Sequence, residues 1–331
     1  MNEPRAHQKV APTDIPRPRS AGEVTAPAPE FAPADAFVVF AYAVLARELA
    51  LLLENRPSTK RAATPDEIHQ LRVAARRLRV ALRLFRRMLS SRHVVRFRED
   101  LRWFASSLGD VRDLDVYTDN FKAYVSTVPP EQRGDLSGYE LYLRRERADA
   151  RQRATATFGD PRATALFEDL ARFVAAGPSA GALRRWGSLT VRDGIRASVR
   201  VSVGRFRRLG NSVMPRSRAT QLHELRIKTK RLRYELEFFA AVYPALQAPA
   251  KTCKTLQDLL GTLQDCATAT ARLRRYAKLL GRRAGSPVVL PAALVALRRS
   301  QLALARSVRR SFAEQWPGVA AAADDARHVV A

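Results

Sequence analysis

The sequence carries one long motif twice: Ile68–Phe85 reads IHQLRVAARRLRVALRLF, and Leu222–Phe239 reads LHELRIKTKRLRYELEFF. The histidine and most basic residues recur at a constant spacing, 154 residues further along the chain. The matched pairs are His69 with His223, Arg72 with Arg226, Arg76 with Lys230, Arg77 with Arg231, and Arg79 with Arg233. A motif that recurs at a constant offset indicates an internal duplication.

Both copies have helical periodicity. At ~100° per residue, the apolar residues fall on one stripe of the helix and the basic residues on another, about 110° away. In the first copy the apolar stripe holds Leu71, Ala75, Leu78, Leu82, Phe85 and Leu89, and the basic stripe holds His69, Arg72, Arg76, Arg79 and Arg83. The second copy sets Leu225, Leu232, Leu236 and Phe239 against His223, Arg226, Lys230 and Arg233. Each helix is therefore predicted to pack along one edge and to present cations along another.

The charge balance predicts a polyanionic partner. Lysine and arginine total 58 against 32 acids, which gives a formal net charge of +26 and a pI near 11.3. Like charges in a row repel one another, so a site that keeps them is expected to bind something negative. Composition alone leaves nucleic acid, polyphosphate and an anionic membrane surface open. No apolar run approaches the ~20 residues of a membrane span, so no span is expected.

The N-terminus and the cysteines favour a cytoplasmic protein. Residues 1–33 are rich in proline and poor in large apolar groups, which predicts a disordered tail without a signal core. Cys253 and Cys266 lie too far apart along one predicted helix to pair with each other. Two free thiols fit a reducing compartment. With no CxxC or HExxH pattern and scattered histidines, neither a metal nor a cofactor is expected.

A second pair of matching stretches follows the first motif in each half of the chain, so the predicted helices have the same order in both halves. LGDVRDLDV at Leu108–Val116 is echoed by LGTLQDCAT at Leu260–Thr268. No alternating run is long enough for a sheet. The sequence therefore predicts an all-α fold, an internally duplicated pair of four-helix bundles with pseudo-twofold symmetry. We place the bundles at residues 34–176 and 188–327, with a Gly-, Ser- and Pro-rich hinge at 177–187.

The pattern HxxRVxxRRLRxxLxxF, followed by LGxxRDxDV, resembles the CHAD domain, the conserved histidine α-helical domain. The domain is placed at residues 34–327. The resemblance implies two facing four-helix bundles whose basic helices line a central groove or pore that binds inorganic polyphosphate. Two arginines of the first copy have no basic counterpart in the second, because Glu237 stands where Arg83 does and Gln264 where Arg112 does. Fewer polymer contacts are therefore expected from the second half.

The candidate site follows from the motif and the resemblance together. The predicted polyphosphate-binding residues are His69, Arg72, Arg76, Arg79, Arg83, His223, Arg226, Lys230 and Arg233. Supporting roles are expected for Arg77, Arg112, Asp113, Arg231 and Asp265. The two aspartates are expected to hold basic side chains in place, and Arg77 and Arg231 to pair with acids. No catalytic residue is assigned.

Three functional hypotheses differ in class. The first is a polyphosphate-binding module, cytoplasmic and with polyphosphate granules as a candidate location. The second is a non-specific nucleic-acid-binding protein, which the scarcity of aromatic residues on the basic stripes disfavours. The third is a polyphosphate-processing enzyme, which would need more free carboxylates to hold metal ions.

Overall fold

The protein is all-α. The computed structural model describes residues 30–56, 63–214, 216–284 and 289–331. Within these ranges there is no β-strand, and a single antiparallel bridge joins Ala36 and Thr190. The helices are α1 Phe37–Glu54, α2 Pro65–Leu84, α3 Ser91–Thr127, α4 Pro130–Arg133, α5 Ser137–Gly159, α6 Pro161–Ala175, α7 Ala180–Trp186, α8 Val191–Ser212, α9 Ala219–Phe239, α10 Gln247–Ala284 and α11 Ala292–Val329. Two 3₁₀ turns lie at Gly134–Leu136 and Pro244–Leu246.

The first basic helix, α2, begins with a capping box at Thr64. The Thr64 hydroxyl accepts a hydrogen bond from the Glu67 backbone N–H at 3.2 Å, and the Thr64 N–H donates to the Glu67 carboxylate at 2.7 Å. This capping box satisfies two backbone donors that would otherwise lack partners at the helix start. The helix ends at Leu84, because Phe85 already has C-cap geometry, so Leu89 of the predicted apolar stripe lies beyond the helix.

The predicted apolar stripes form the core. Leu78 on α2 and Leu225 on α9 are fully or almost fully buried, as are Phe85 and Phe239 at corresponding ends of the two motifs. The Phe40 ring of α1 lies between these two phenylalanines, with centroid distances of 6.2 Å and 6.1 Å. Burial of each such side chain contributes ~1.5–3 kcal/mol to stability. One cluster of buried residues therefore ties α1, α2 and α9 together.

The residues before position 177 and those after position 187 form two parts of the chain. The first contact between these two parts involves backbone atoms. The Phe37 N–H donates to the Leu189 carbonyl and the Val191 N–H donates to the Asp35 carbonyl, both at 2.8 Å. These bonds join the start of α1 to the start of α8. Since α2 also packs against α9, the two basic helices lie side by side.

A second contact joins the parts at the far ends of the long helices. The rings of Tyr139 on α5 and Tyr276 on α10 have centroids 4.9 Å apart, and the Tyr124 hydroxyl donates to the Ala293 carbonyl at 2.7 Å. These residues belong to a separate cluster of buried side chains around Phe121. At ~1.5 Å per residue α3 is about 55 Å long, so the second contact is remote from the first.

Two predicted boundaries can be compared with the structure. Residues 1–29 of the predicted tail lie outside the described residues. The expected tail end at residue 33 is too late, because Phe31 packs edge-on against Phe40 at 5.2 Å and the Pro33 carbonyl accepts from the Arg192 N–H at 3.0 Å. Within the predicted hinge, Ala180–Trp186 forms helix α7. The hinge role itself stays a prediction.

Two glycines of α8 should respond oppositely to the same substitution. A Cβ added at Gly194 would lie 2.2 Å from a ring carbon of the buried Phe37, whereas one at Gly204 would meet its nearest atom, of Arg208, at 3.9 Å. Gly194→Ala should therefore lower the free energy of unfolding by about 1–3 kcal/mol through overpacking. Gly204→Ala should raise it by about 0.5–1 kcal/mol through helix propensity. Urea unfolding of both variants checks this, and equal effects would contradict the tight α1–α8 packing.

Candidate polyanion-binding site

Arg72 reaches from α2 to the neighbouring helix α3. Its Nη1 donates to the Gly109 carbonyl at 3.3 Å and to the Asp113 carboxylate at 3.1 Å. A Cβ added at Gly109 would lie 3.7 Å from Arg72 Nη2, so the guanidinium rests against the α3 backbone at this glycine. The predicted bracing of a basic side chain by Asp113 is confirmed.

Arg226 has the corresponding place on α9, over Gly261 of α10. A Cβ added at Gly261 would lie 3.8 Å from Arg226 Nη2. Burial lowers the pKa of Arg226, and the charge of Asp265 raises it without an ion pair between the two groups. Within the described residues, Arg226 Nε is buried and has no hydrogen-bond partner. The predicted bracing role of Asp265 is thus limited to its charge, and Arg226 keeps more donors free than Arg72.

Arg72, Arg76, Arg226 and Lys230 come together between α2 and α9, and we call them the central cluster. Arg76 Nε donates to the Tyr234 hydroxyl at 3.0 Å. Burial, and then the charges of Arg76, Arg226 and Arg72, lower the pKa of Lys230 to about 6. The three arginines therefore lie close enough to Lys230 for their charges to disfavour its protonated form.

The two motif histidines lie beside the central cluster. Burial, followed by the charges of Arg112, Arg76 and Arg72, lowers the pKa of His69, so its imidazole is neutral near pH 7. His223 is exposed, and its Nδ1 lies 3.1 Å from the Gln264 side-chain oxygen. A neutral imidazole can donate one hydrogen bond to an anion, and a bound anion would favour the protonated form that donates two.

Arg77 pairs with acids, as predicted. Its Nε and Nη2 donate to the Glu48 carboxylate at 2.7 Å and 2.9 Å, and its Nη1 also bonds Glu237. Its guanidinium lies 5.2 Å from the ring centroids of both Tyr234 and Phe238. Burial by itself would lower the pKa of Arg77, but Glu48 and Glu237 raise it above its ordinary value. Arg77 therefore joins α1, α2 and α9 and is committed to the fold.

Arg233 shares the carboxylate of Glu237 with Arg77. Its Nε donates to Glu237 at 2.6 Å and its Nη1 to the Gln257 side chain at 3.4 Å. Only 11% of its side chain is exposed. Arg233, expected to contact polyphosphate, is thus already neutralised, because the acid that replaces Arg83 in the second motif lies one helical turn away.

The other predicted arginines lie among arginines. Burial and the charges of Arg83, Arg98 and Arg79 lower the pKa of Arg231 to about 10, while Glu224 opposes this shift. Within the described part of the chain, Arg231 forms no ion pair, and neither do Arg79 and Arg83. The prediction that Arg231 pairs with an acid is wrong, because the groups nearest to it in the fold are cations.

The chemistry that these side chains offer is hydrogen-bond donation by cations. Across the described ranges, no three His, Cys, Asp or Glu side chains are grouped so as to hold a metal ion.

None of the described helices combines the length and hydropathy needed to cross a membrane. Cys253 and Cys266 are both buried and free, as predicted.

Comparison with known proteins gives the family. The chain matches the model of the CHAD domain over residues 43–274. It belongs to the CHAD family. The CHAD domain from the plant Ricinus communis is 25% identical, with 87% of this chain and 97% of that chain covered and a TM-score of 0.59. PptA from Streptomyces chartreusis is 17% identical, covers 86% and 99% of the two chains, has a TM-score of 0.66, and supports the fold alone. No curated protein matches.

Three residues that organise this CHAD domain were not found from the sequence. Glu48 and Tyr234 position Arg77 and Arg76, and Arg98 on α3 lies beside Arg231. Glu48 is the one acid of a long apolar stretch, FVVFAYAVLARELALLL. An acid at such a position is rarely buried without a partner, and this was the available signal. Nothing in the local sequence marks Arg98.

Lys230 should destabilise the free CHAD domain in a pH-dependent way. Its pKa falls from 10.5 to about 6 on folding, so between these values the unfolded chain binds more protons and stability rises with pH. Lys230→Met should therefore be more stable than wild type near pH 6, and the difference should shrink as pH approaches 10. Thermal unfolding across this range tests it, with Lys251→Met at an exposed lysine as control. A difference that is independent of pH would show that Lys230 titrates normally.

Proposed function

We propose that the protein binds inorganic polyphosphate between α2 and α9, through the central cluster and the two motif histidines. The observation that carries the proposal is the crowding of partly buried cations. Arg72 and Arg76 each lower the pKa of both Arg226 and Lys230. A bound polyanion would replace this repulsion by attraction and would supply the acceptors that guanidinium groups need.

A chain of phosphates suits the site better than a single anion. The donors come from two helices, so one polymer can contact both at once, and contacts linked in this way raise affinity through effective concentration. A phosphate polymer offers only charge and tetrahedral oxygens, which match forked guanidinium donors. Release of condensed counterions would add to the affinity.

We also infer that the two basic helices belong to duplicated four-helix units related by a pseudo-twofold axis. The units are α1, α2, α3 and α5, and α8, α9, α10 and α11. The hydrogen bonds from Phe37 to Leu189 and from Val191 to Asp35 support this, because each becomes the other when positions 154 residues apart are exchanged. Both units then present their basic edges to one cavity.

Nucleic acid is the alternative partner, and the burial of Tyr234, the aromatic residue beside the second basic stripe, counts against it. Proteins that bind single strands stack bases on exposed aromatic rings. Tyr234 is only 1% exposed and lies beneath the guanidinium groups of Arg77 and Arg233. It is therefore not available to a base.

We expect binding without catalysis. Hydrolysis of a phosphate chain needs a metal held by carboxylates or an activated nucleophile. Asp113 is bonded to Arg72, and Asp265 lies beside Arg226, so both acids serve the cations. As a binder the protein would act in the cytoplasm, on polymer such as that stored in granules.

Removal of two central cations should weaken binding of long polyphosphate. Arg76→Ala combined with Lys230→Ala removes one donor from each helix, and each lost charged hydrogen bond costs ~1.5–3 kcal/mol, about tenfold or more in Kd. The double variant should also lose most of the gain in affinity from triphosphate to long chains. Fluorescence anisotropy at fixed ionic strength measures both effects.

The matched control for this experiment is Arg144→Ala combined with Lys251→Ala, which removes the same charge from exposed positions on α5 and α10. The control should bind like wild type at the same salt concentration. If triphosphate bound as tightly as a long chain, the site would be one compact pocket. If double-stranded DNA displaced long polyphosphate, the nucleic-acid alternative would be the better reading.

The purified protein should neither hydrolyse nor extend polyphosphate, with Mg²⁺ or Mn²⁺ present. The physical reason is that Asp113 is hydrogen-bonded to Arg72, while Asp265 lies beside Arg226 and within the described residues belongs to no group of acids that could hold a metal ion. Phosphate release and chain length are the measurements, with Asp113→Asn and Asp265→Asn as comparison variants. Release that disappears in either variant would establish an enzymatic role.

A further inference from the structure

The two faces of the α2–α9 crossing differ in charge. On one face Arg77 meets Glu48 and Glu237, and Arg233 also bonds Glu237. Two acids therefore neutralise two arginines there. This face has no positive charge left over for a ligand.

Under the pseudo-twofold relation inferred above, the opposite face contains the positions 154 residues away. Arg231 corresponds to Arg77, and Arg83 corresponds to Glu237. Where one face has the ion pair between Arg77 and Glu237, the other therefore has two arginines, Arg231 and Arg83, facing each other. Consistent with this, Arg83 is the charged neighbour that most lowers the pKa of Arg231.

Arg98 on α3 completes the group, and we call Arg79, Arg83, Arg98 and Arg231 the lateral cluster. Arg98 is the leading charged neighbour of both Arg79 and Arg83. Within the described residues, none of the four forms an ion pair, and Arg79 Nε is buried without a hydrogen-bond partner. Three helices thus bring four guanidinium groups together without a bonded carboxylate.

Two acids of α9 flank Arg231 in the sequence, and within the described residues neither pairs with it; Glu224 acts on Arg231 only through its charge. Glu235 lies one turn beyond Arg231, yet its carboxylate accepts hydrogen bonds from Ser198 at 2.8 Å and from Ser202 at 2.7 Å. It is 4% exposed. The fold therefore directs Glu235 to α8, and around Arg231 the charges of Arg83, Arg98 and Arg79 outweigh that of Glu224.

We propose that the lateral cluster binds consecutive phosphate groups of a condensed phosphate chain that continues from the central cluster. This rests on the proposed function and adds a direction to it. Arg79 links the two clusters because it lies on α2 between Arg76 and Arg83, about one helical turn from each. The polymer leaves the centre past Arg79 and Arg83, and not past Arg233, whose charge Glu237 already neutralises.

Arg83→Glu tests the proposal with two readouts of opposite sign. The new carboxylate would face Arg231 as Glu237 faces Arg77, so the melting temperature should rise. Affinity for long polyphosphate should fall about tenfold or more, the equivalent of one charged hydrogen bond. Triphosphate, which the central cluster can hold alone, should bind nearly as in wild type.

Two further variants make the test specific. Arg87→Glu changes the net charge equally at an exposed position just after α2 and should leave the melting temperature and the affinity for long chains almost unchanged. Arg231→Gln keeps a polar, hydrogen-bonding side chain and removes its charge, so it should stabilise the protein and weaken binding of long chains as Arg83→Glu does.

The outcomes separate the two proposals. If wild type binds long polyphosphate, and Arg83→Glu and Arg87→Glu bind it with equal affinity, the lateral cluster takes no part in binding. The inference about the lateral cluster then fails, while the proposed function stands. Equal losses for triphosphate and long chains would also overturn that inference, because the cluster would then be a separate pocket for short phosphates. If wild type binds no polyphosphate of any length, the proposed function itself fails.

Discussion

The buried ion pair between Arg77 and Glu48, extended to Glu237, is the interaction on which the arrangement of the basic helices depends. Three helices contribute to it, and the rings of Tyr234 and Phe238 enclose the guanidinium. Removing one partner of such a pair costs about 3–5 kcal/mol, because the other charge is left buried and unpaired. The network therefore fixes how α2 crosses α9, and the crossing brings the cations of the two helices together.

The site works against the stability that the core provides. Lys230 and Arg231 both lose basicity on folding because burial and neighbouring cations disfavour their charged forms. Functional sites often carry such a cost, which the rest of the fold offsets. Here the offset comes from apolar stripes such as Leu78 and Leu225, which lie on the opposite edges of the same helices. One sequence motif thus encodes both the cost and its compensation.

Much of the local structure could be predicted from the sequence. The capping box at Thr64, the apolar edge of α2 and the pairing of Arg77 with acids follow from spacing and from residue chemistry over a few turns. The neutralisation of Arg233 and the isolation of Arg231 could not be predicted, because they depend on which residues of other helices face them. The sequence shows that Glu237 replaces Arg83 in the second motif. Only the packing of α2 against α9 shows the consequence, because it places Glu237 beside Arg77 and Arg83 beside Arg231.

The two remote contacts between the parts of the chain bear on the mechanics of binding. One contact lies at the starts of α1 and α8, and the other joins Tyr139 to Tyr276. Because the helices are joined at both ends, they cannot move apart at one contact unless the other contact bends or breaks. The spacing between the basic edges is therefore set before any ligand arrives, so little conformational entropy is lost on association. If the ligand is a phosphate polymer, as we propose, the flexible partner is the polymer, and the entropic cost of ordering would fall on it.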